Sequence, residues 1–187
     1  MPKANKTNDI IQAIACALRH NSVRDIRSSS IAKEAGTTEL TIYRYFSSLD
    51  EMFTVTLEEG WRRIVVAAQA ATFTNPSLSA EVKLIAEFRS CLELALVPDA
   101  QNLACAAACH HLSIDLNYPS KHKDMFNDHV MNCLELINHR EHSIIYYSLM
   151  NDFWNWWRKT EATPAEIESR IEYAVNILSR IILQKSA

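Results

Sequence analysis

The sequence predicts an all-α fold: a small three-helix head over residues 1–47 and a larger helical body over 48–187, about nine helices in all. Three observations predict it. Apolar residues recur at three- and four-residue spacings along most of the chain, and no stretch alternates apolar with polar as a half-buried strand does. Turn-forming clusters interrupt that rhythm about once per helix length. The clearest interruption, Ala35-Gly36-Thr37-Thr38, separates two short helical runs, and Gly36 is one of only 2 glycines in 187 residues.

The head's first helix is carried by Ile10-Ile11-Gln12-Ala13-Ile14-Ala15-Cys16-Ala17-Leu18. Asn21 or Ser22 follows it, and asparagine is the next best left-handed cap after glycine. Ser28 or Ser29 is placed to cap the second helix by accepting a hydrogen bond from an orphan backbone N–H. Ile31, Ala32 and Ala35 give that helix a small apolar stripe, which permits close packing. Gly36 ends it in the left-handed conformation that glycine tolerates. Thr38 caps a third helix running to Phe46, and Glu39 in its first turn suits the positive end of the helix dipole. Ile42 and Phe46 fall on one side, so Thr37, Thr38, Leu40, Thr41 and Arg44 face outward.

The body's elements follow from their punctuation. Ser48 and Glu51 form a capping box, opening a fourth helix to about residue 71 with Gly60 as a weak point or a close-packing site. A loop lies at 73–77. Further helices are expected over 79–96, 100–116, 120–138 and 141–161, with Asn117-Tyr118-Pro119-Ser120 as a breaker. Thr163-Pro164-Ala165-Glu166 joins a capping box to a proline at the first helical position, the strongest helix-start signal in the chain.

Small and hydrogen-bonding side chains followed by Tyr43-Arg44-Tyr45 are what a helix in the DNA major groove requires, with anchors for flanking phosphates. The two-helix pattern alone fits an ordinary αα-hairpin equally well. Ile31-Ala32, Ala35-Gly36, Thr41-Ile42-Tyr43-Arg44-Tyr45-Phe46 and Ser48-Leu49-Asp50-Glu51-Met52 add more. Together with the first helix, these segments resemble the helix-turn-helix DNA-binding domain of TetR/AcrR-type transcriptional regulators, from about Asp9 to Thr56. The Thr41–Phe46 run matches the family's T-[LI]-Y-x-[HY]-F signature. The residues expected to contact DNA are Arg27, Ser28, Ser29, Thr37, Thr38, Glu39, Leu40, Thr41, Tyr43, Arg44 and Tyr45. The chain also departs from the family pattern. Leu49 stands where a basic phosphate anchor is usual, and Leu40 where a small residue is usual; a leucine there suits contact with a thymine methyl. Thr37 stands where an aliphatic residue is more common.

Charge distribution agrees. Residues 1–47 hold 7 Lys/Arg against 4 Asp/Glu, whereas 48–187 hold 12 against 18, for a net charge of −3. A basic head on an acidic body orients the molecule toward a polyanion. Lys3 and Lys6 are placed to act as a flexible arm reaching phosphate, or as a solvated tail. No apolar leader or membrane-length run is present, and the 5 cysteines are scattered, so a reduced, cytoplasmic protein is expected. Enzymatic motifs are missing: there is no glycine-rich phosphate loop, no G-x-S-x-G and no H-E-x-x-H. No cofactor is expected.

Ile167, Ile171, Ala174, Leu178 and Ile181 follow a 4-3-4-3 spacing, the rhythm of a coiled-coil seam. With Ile145, Leu149, Phe153 and Trp156 of the preceding helix they are expected to form half of a four-helix homodimer interface. The resemblance implies a small-molecule effector pocket in the body. Its expected lining is Trp61, Phe88, Cys91, Leu92, Cys105, Cys109, His110, Tyr147, Asn151 and Trp154, apolar groups with a few polar handles. The lack of a basic cluster there argues against a strongly anionic effector. Cys105 and Cys109 share a helical face with His110 and His111 following, but the alanine-rich surroundings favour cysteine as a small buried residue, so no metal site is expected. The chain is thus expected to be a sequence-specific DNA-binding transcriptional regulator, a repressor released from its operator by a small molecule. The alternative is an effector-independent architectural or chromosome-organising DNA binder of the same fold, and an enclosed apolar cavity in the body separates the two.

Overall fold

A computed structural model describes residues 3–73, 77–110 and 120–184, with the side chains of 3–5, 73 and 110 excepted. The loop expected at 74–76, the end of the sixth helix past residue 110 and the breaker at 117–119 lie outside the described residues. Among those residues the protein is all-α, with nine α-helices, short 3-10 turns and no strand. The head holds α1 (Lys3–His20), α2 (Ser28–Glu34) and α3 (Glu39–Ile42). The body holds α4 (Leu49–Phe73), α5 (Ala80–Glu93), α6 (Gln101–His110), α7 (Lys121–Leu136), α8 (Ser143–Lys159) and α9 (Pro164–Leu183). No described helix is long and apolar enough to cross a membrane.

Caps account for most boundaries. Thr163 accepts from the Glu166 N–H at 3.4 Å while the Glu166 carboxylate accepts from the Thr163 N–H at 2.8 Å, and Pro164 follows, as expected. Ser48 accepts from the Glu51 N–H at 3.1 Å, but Glu51 reaches one residue further back, to the Ser47 N–H. Among the described residues, two adopt left-handed backbone. Gly36 (φ 57) ends α2 and Asn138 (φ 56) ends α7. Both sit in a Schellman turn: Thr37 N–H donates to Ala32 O and Gly36 N–H to Lys33 O, and likewise His139 to Leu134 and Asn138 to Glu135. Asn21 is not left-handed; its side-chain amide donates to Ala17 O at 3.0 Å and caps α1 that way.

Two hydrophobic cores share one spine. The head core gathers Ile10, Ile14, Leu18, Ile26, Ile31, Ile42 and Phe46, then continues into Met52, Phe53 and Leu57 of α4 and Leu103 and Ala106 of α6. The body core is built around Trp61, Ile64, Phe88, Phe126, Tyr146, Phe153, Trp154 and Leu178. Helix α4 thus serves both cores on successive turns, and α6 is wedged between them. Gly60 makes that wedge fit. A Cβ at this position would lie 2.2 Å from Leu103 O and 2.8 Å from Ala107 Cβ, so only glycine allows α4 and α6 to approach this closely.

Candidate nucleic-acid interface

The turn between α2 and α3 is fixed from both sides. Arg27, not Ser28 or Ser29, is the cap residue of α2. It has no side-chain acceptor, and the Ser30 hydroxyl reaches back to donate to Arg27 O at 2.7 Å. Lys6 of α1 donates to Ala35 O at 3.0 Å and to Gly36 O at 3.4 Å, so its ammonium meets the negative end of α2 rather than reaching out as an arm. Thr38 caps α3 as expected, accepting from the Thr41 N–H at 3.2 Å. The Ser28 hydroxyl donates to the Glu39 carboxylate and ties the start of α2 to α3.

Helix α3 is shorter than expected. Regular α geometry covers Glu39–Ile42, and Tyr43 to Tyr45 continue as tight turns, with Arg44 N–H donating to Thr41 O and Tyr45 N–H to Ile42 O. Ile42 and Phe46 anchor the segment in the head core. Its other side is open: Leu40 is 67% exposed and Tyr43 45%, and Thr38, Glu39 and Arg44 are exposed with them. Arg27 and Ser29 stand exposed at the start of α2, while Ser28, Thr37, Thr41 and Tyr45 are half-buried. The eleven residues expected to contact DNA therefore come together on α2, α3 and the turn between and after them, at the free tip of the head. Leu49, in place of a basic anchor, packs against the head core.

Head and body are joined by polar contacts as well as by α4. Gln12 donates to Asp99 O at 2.8 Å, just before α6. Arg19 lies with its guanidinium carbon 3.7 Å from the Trp157 ring centre and donates to Thr160 O at 3.2 Å, at the C-terminal end of α8. Helix α7 is tied to α4 at its start, where Ser120 donates to Glu58 at 2.5 Å and His122 pairs with the same carboxylate. Burial works against ionisation of Glu58, but these two partners hold its pKa below the usual carboxylate range.

Residues expected to line an effector pocket are placed differently. Trp61, Phe88, Cys91, Leu92, Cys105 and Trp154 are packed into the body core; Cys109, Tyr147 and Asn151 are half-buried, and the side chain of His110 lies outside the described residues. The aromatic rings occupy the space themselves: Trp61 meets Phe126 and Phe126 meets Tyr146 in tilted contacts, and Tyr146 meets Phe88 edge to face at 5.0 Å between ring centres. None of the nine with described side chains lines the large groove that is present. That groove, of about 1010 Å³, lies between α1, α4 and α7 and is lined by Thr7, Asn8, Ile11, Thr54, Val55, Glu58, Glu59, Arg62, Ser120, Lys121, Asp124, Met125 and Asp128. Cys105 and Cys109 stand with sulfurs 3.8 Å apart. Burial and the neighbouring thiol push Cys105 up, whereas the hydrogen bond from Cys105 and the charge of Arg158 lower Cys109.

The seam residues of α9 are also turned differently. Ile167, Ile171, Ala174 and Leu178 are buried within the chain, as is Phe153 of α8, so the 4-3-4-3 stripe binds α9 to its own α5 and α8. Ile145, Leu149, Trp156 and Ile181 keep part of their surface. The outer face of the pair instead shows Ile144, 75% exposed, and Tyr173, 56% exposed, with Arg170 between Trp156 and Tyr173. A cluster that sequence reading missed is Glu87, His129 and Cys133, from α5 and α7. Only the four-residue spacing of His129 and Cys133 hinted at it; Glu87 is 42 positions away from His129.

A helix-turn-helix head carried on a helical body is the fold of TetR-family transcriptional regulators. The solved structures similar to this chain bear that out. They include a TetR-like transcriptional regulator from Rhodococcus sp. RHA1, at 16% identity over 97% of this chain and 96% of that one, TM-score 0.69. Another is the transcriptional regulator FadR from Bacillus subtilis in complex with stearoyl-CoA, at 15% identity over 96% of this chain and 98% of that one, TM-score 0.68. A gamma-butyrolactone receptor (ArpA-like protein) matches at 15% identity over 97% and 98%, TM-score 0.59. The sequence matches no family model and no curated relative, so the likeness rests on the fold.

Proposed function

We propose that this protein is a sequence-specific DNA-binding transcriptional regulator that acts as a homodimer and represses by occupying its operator. One observation carries the reading: Leu40, Tyr43 and Arg44 point into solvent from a segment whose other side, Ile42 and Phe46, is locked into the head core. A short rigid element with one free, hydrogen-bonding face is what groove insertion requires. Arg44 and Tyr43 serve as phosphate anchors, and Leu40 and Thr41 meet base edges. The test is selection of bound duplexes from random sequence, followed by affinity measurements on variants. Arg44→Ala is expected to weaken binding about 5–10-fold on every duplex and to lower the salt dependence by about one counterion. Leu40→Ala is expected to change base preference at one position. No enriched sequence, or an unchanged affinity in Arg44→Ala, overturns the assignment.

Effector release fits the groove between α1, α4 and α7 better than the filled body interior. An occupant there touches α1 of the head and α4 at once, so its differential affinity for two head positions shifts DNA binding directly. Ile11, Val55 and Met125 offer apolar contact, and the exposed carboxylates of Asp124 and Asp128 suit an amphipathic ligand with a cationic group. FadR was solved with stearoyl-CoA and the ArpA-like protein is a gamma-butyrolactone receptor, which supports ligand response as a use of this fold. The ring contacts that link Trp61, Phe126, Tyr146 and Phe88 among the described residues support the second reading, an effector-independent architectural DNA binder. A thermal-shift screen with amphipathic cations separates them: stabilisation by a compound that also releases DNA supports the regulator, and DNA affinity insensitive to every stabilising compound supports the architectural protein.

A further inference from the structure

Glu87 is an anomaly in the body core. Its carboxylate belongs to a residue 3% exposed, next to Phe88 and in a core with Cys91 and Tyr146. A buried carboxylate requires a compensating charge. It finds His129 Nε2 at 2.9 Å, and the same nitrogen lies 3.6 Å from Cys133 Sγ. The three donor atoms all fall within 4.8 Å of one another. A ring nitrogen has one proton or one lone pair to offer, so it serves two acceptors on different sides poorly. The buried Tyr146 hydroxyl, without a hydrogen-bond partner among the described residues, is within electrostatic reach of both Glu87 and Cys133.

We propose that Glu87, His129 and Cys133 form a binding site for a borderline-soft divalent transition ion of the zinc type. Bond lengths of about 2.0–2.3 Å around a tetrahedral ion set adjacent donors about 3.3–3.7 Å apart; the His129–Cys133 separation of 3.6 Å falls within that range, and the 2.9 Å between His129 and Glu87 would widen on binding. Carboxylate, imidazole and thiolate form a mixed oxygen, nitrogen and sulfur set that suits zinc, whereas calcium and magnesium take oxygen. One carboxylate and one thiolate neutralise a dication, so the ion would take over from His129 the compensation of the Glu87 charge. On binding, the Cys133 thiol proton passes to solvent, and the proton that His129 Nε2 donates to Glu87 is released to solvent or moved to Nδ1, which frees the Nε2 lone pair for the ion. Three protein ligands leave a fourth position to water, and the exposed edge at His129 gives the ion a way in, so the site exchanges metal rather than holding it as a structural staple. The ion would clamp α5 to α7. This assignment is independent of DNA binding.

Cobalt(II) is the probe, added to the purified, chelator-treated full chain. The expected result is one equivalent bound per chain, a thiolate-to-cobalt charge-transfer absorption, and displacement by zinc. Cys133→Ser is expected to abolish that absorption and His129→Ala to weaken binding at least tenfold, both with helical circular dichroism retained because His129 is exposed and serine keeps the size of the half-buried Cys133. Cys109→Ser, the control, is expected to retain the absorption. The proposal is overturned if the wild-type protein shows no such absorption, if it survives in Cys133→Ser, if it is lost in Cys109→Ser, or if His129→Ala binds as tightly as wild type.

Discussion

Gly60 shows how much a single hydrogen in place of a side chain can control. Its α-carbon faces the backbone of α6, and an added methyl meets Leu103 O at 2.2 Å, a distance no rotamer change relieves. Alanine at an interior helical position gains about 1 kcal/mol of propensity over glycine. Overpacking against a backbone atom costs about 1–3 kcal/mol and more where helices must part. The second effect prevails, so Gly60→Ala is expected to lower the urea midpoint by a net loss of about 1–2 kcal/mol without a change in m. Because Leu103 and Ala106 also belong to the head core, the loss reaches both halves. Gly60 was legible in the sequence as a close-packing site or a weak point, and the structure selects the first. The role of Lys6 was not legible: a basic residue near a chain end carries no local sign that it will meet the carbonyls of Ala35 and Gly36.

Helix α7 depends on one carboxylate of α4. Ser120 caps α7 through the Lys123 N–H, at 3.1 Å, and donates its own proton to Glu58, while His122 pairs with the other oxygen. The pKa of Glu58 is lowered on folding, so this link contributes its full stability above the unfolded carboxylate value near 4.5 and loses it as pH falls through the lower folded value. Hydrogen exchange at the amides of the first turn of α7 is expected to rise relative to the rest of the helix as pH falls below about 4.5. In Glu58→Gln that pH dependence should vanish. Helix starts such as Thr163-Pro164 and Ser79 were legible because a cap is a contact within four residues. The end of α3 was not, since its last turn is shaped by Tyr45 and Phe46 meeting the head core rather than by any breaker in the sequence.

The proposed dimer uses the outer side of the α8–α9 pair. The heptad-like stripe on α9 told correctly that one face is apolar, but α5 and α8 of the same chain take it. What remains for a second copy is the face around Ile144, Trp156, Tyr173 and Ile181. Tyr173→Glu is therefore expected to reduce the mass in light scattering from dimer to monomer, with circular dichroism unchanged. Ile171→Glu, only two positions away, places a charge in the core and is expected to unfold the body. A dimer that survives Tyr173→Glu moves the interface elsewhere. With two heads held by one isologous interface, recognition segments would meet successive major grooves about 34–36 Å apart.

Helical class, the caps at Thr38, Ser79 and Thr163 and the outward face of the Thr38–Phe46 segment follow from the order of residues alone, because periodicity and capping are contacts between near neighbours. Which apolar face meets which partner followed only from the folded chain. The aromatic residues of the body filled their own space, α9 spent its seam within the chain, and Glu87 met His129 and Cys133 across two helices. Such choices are competitions among distant surfaces of similar hydrophobicity, and packing at close density resolves them.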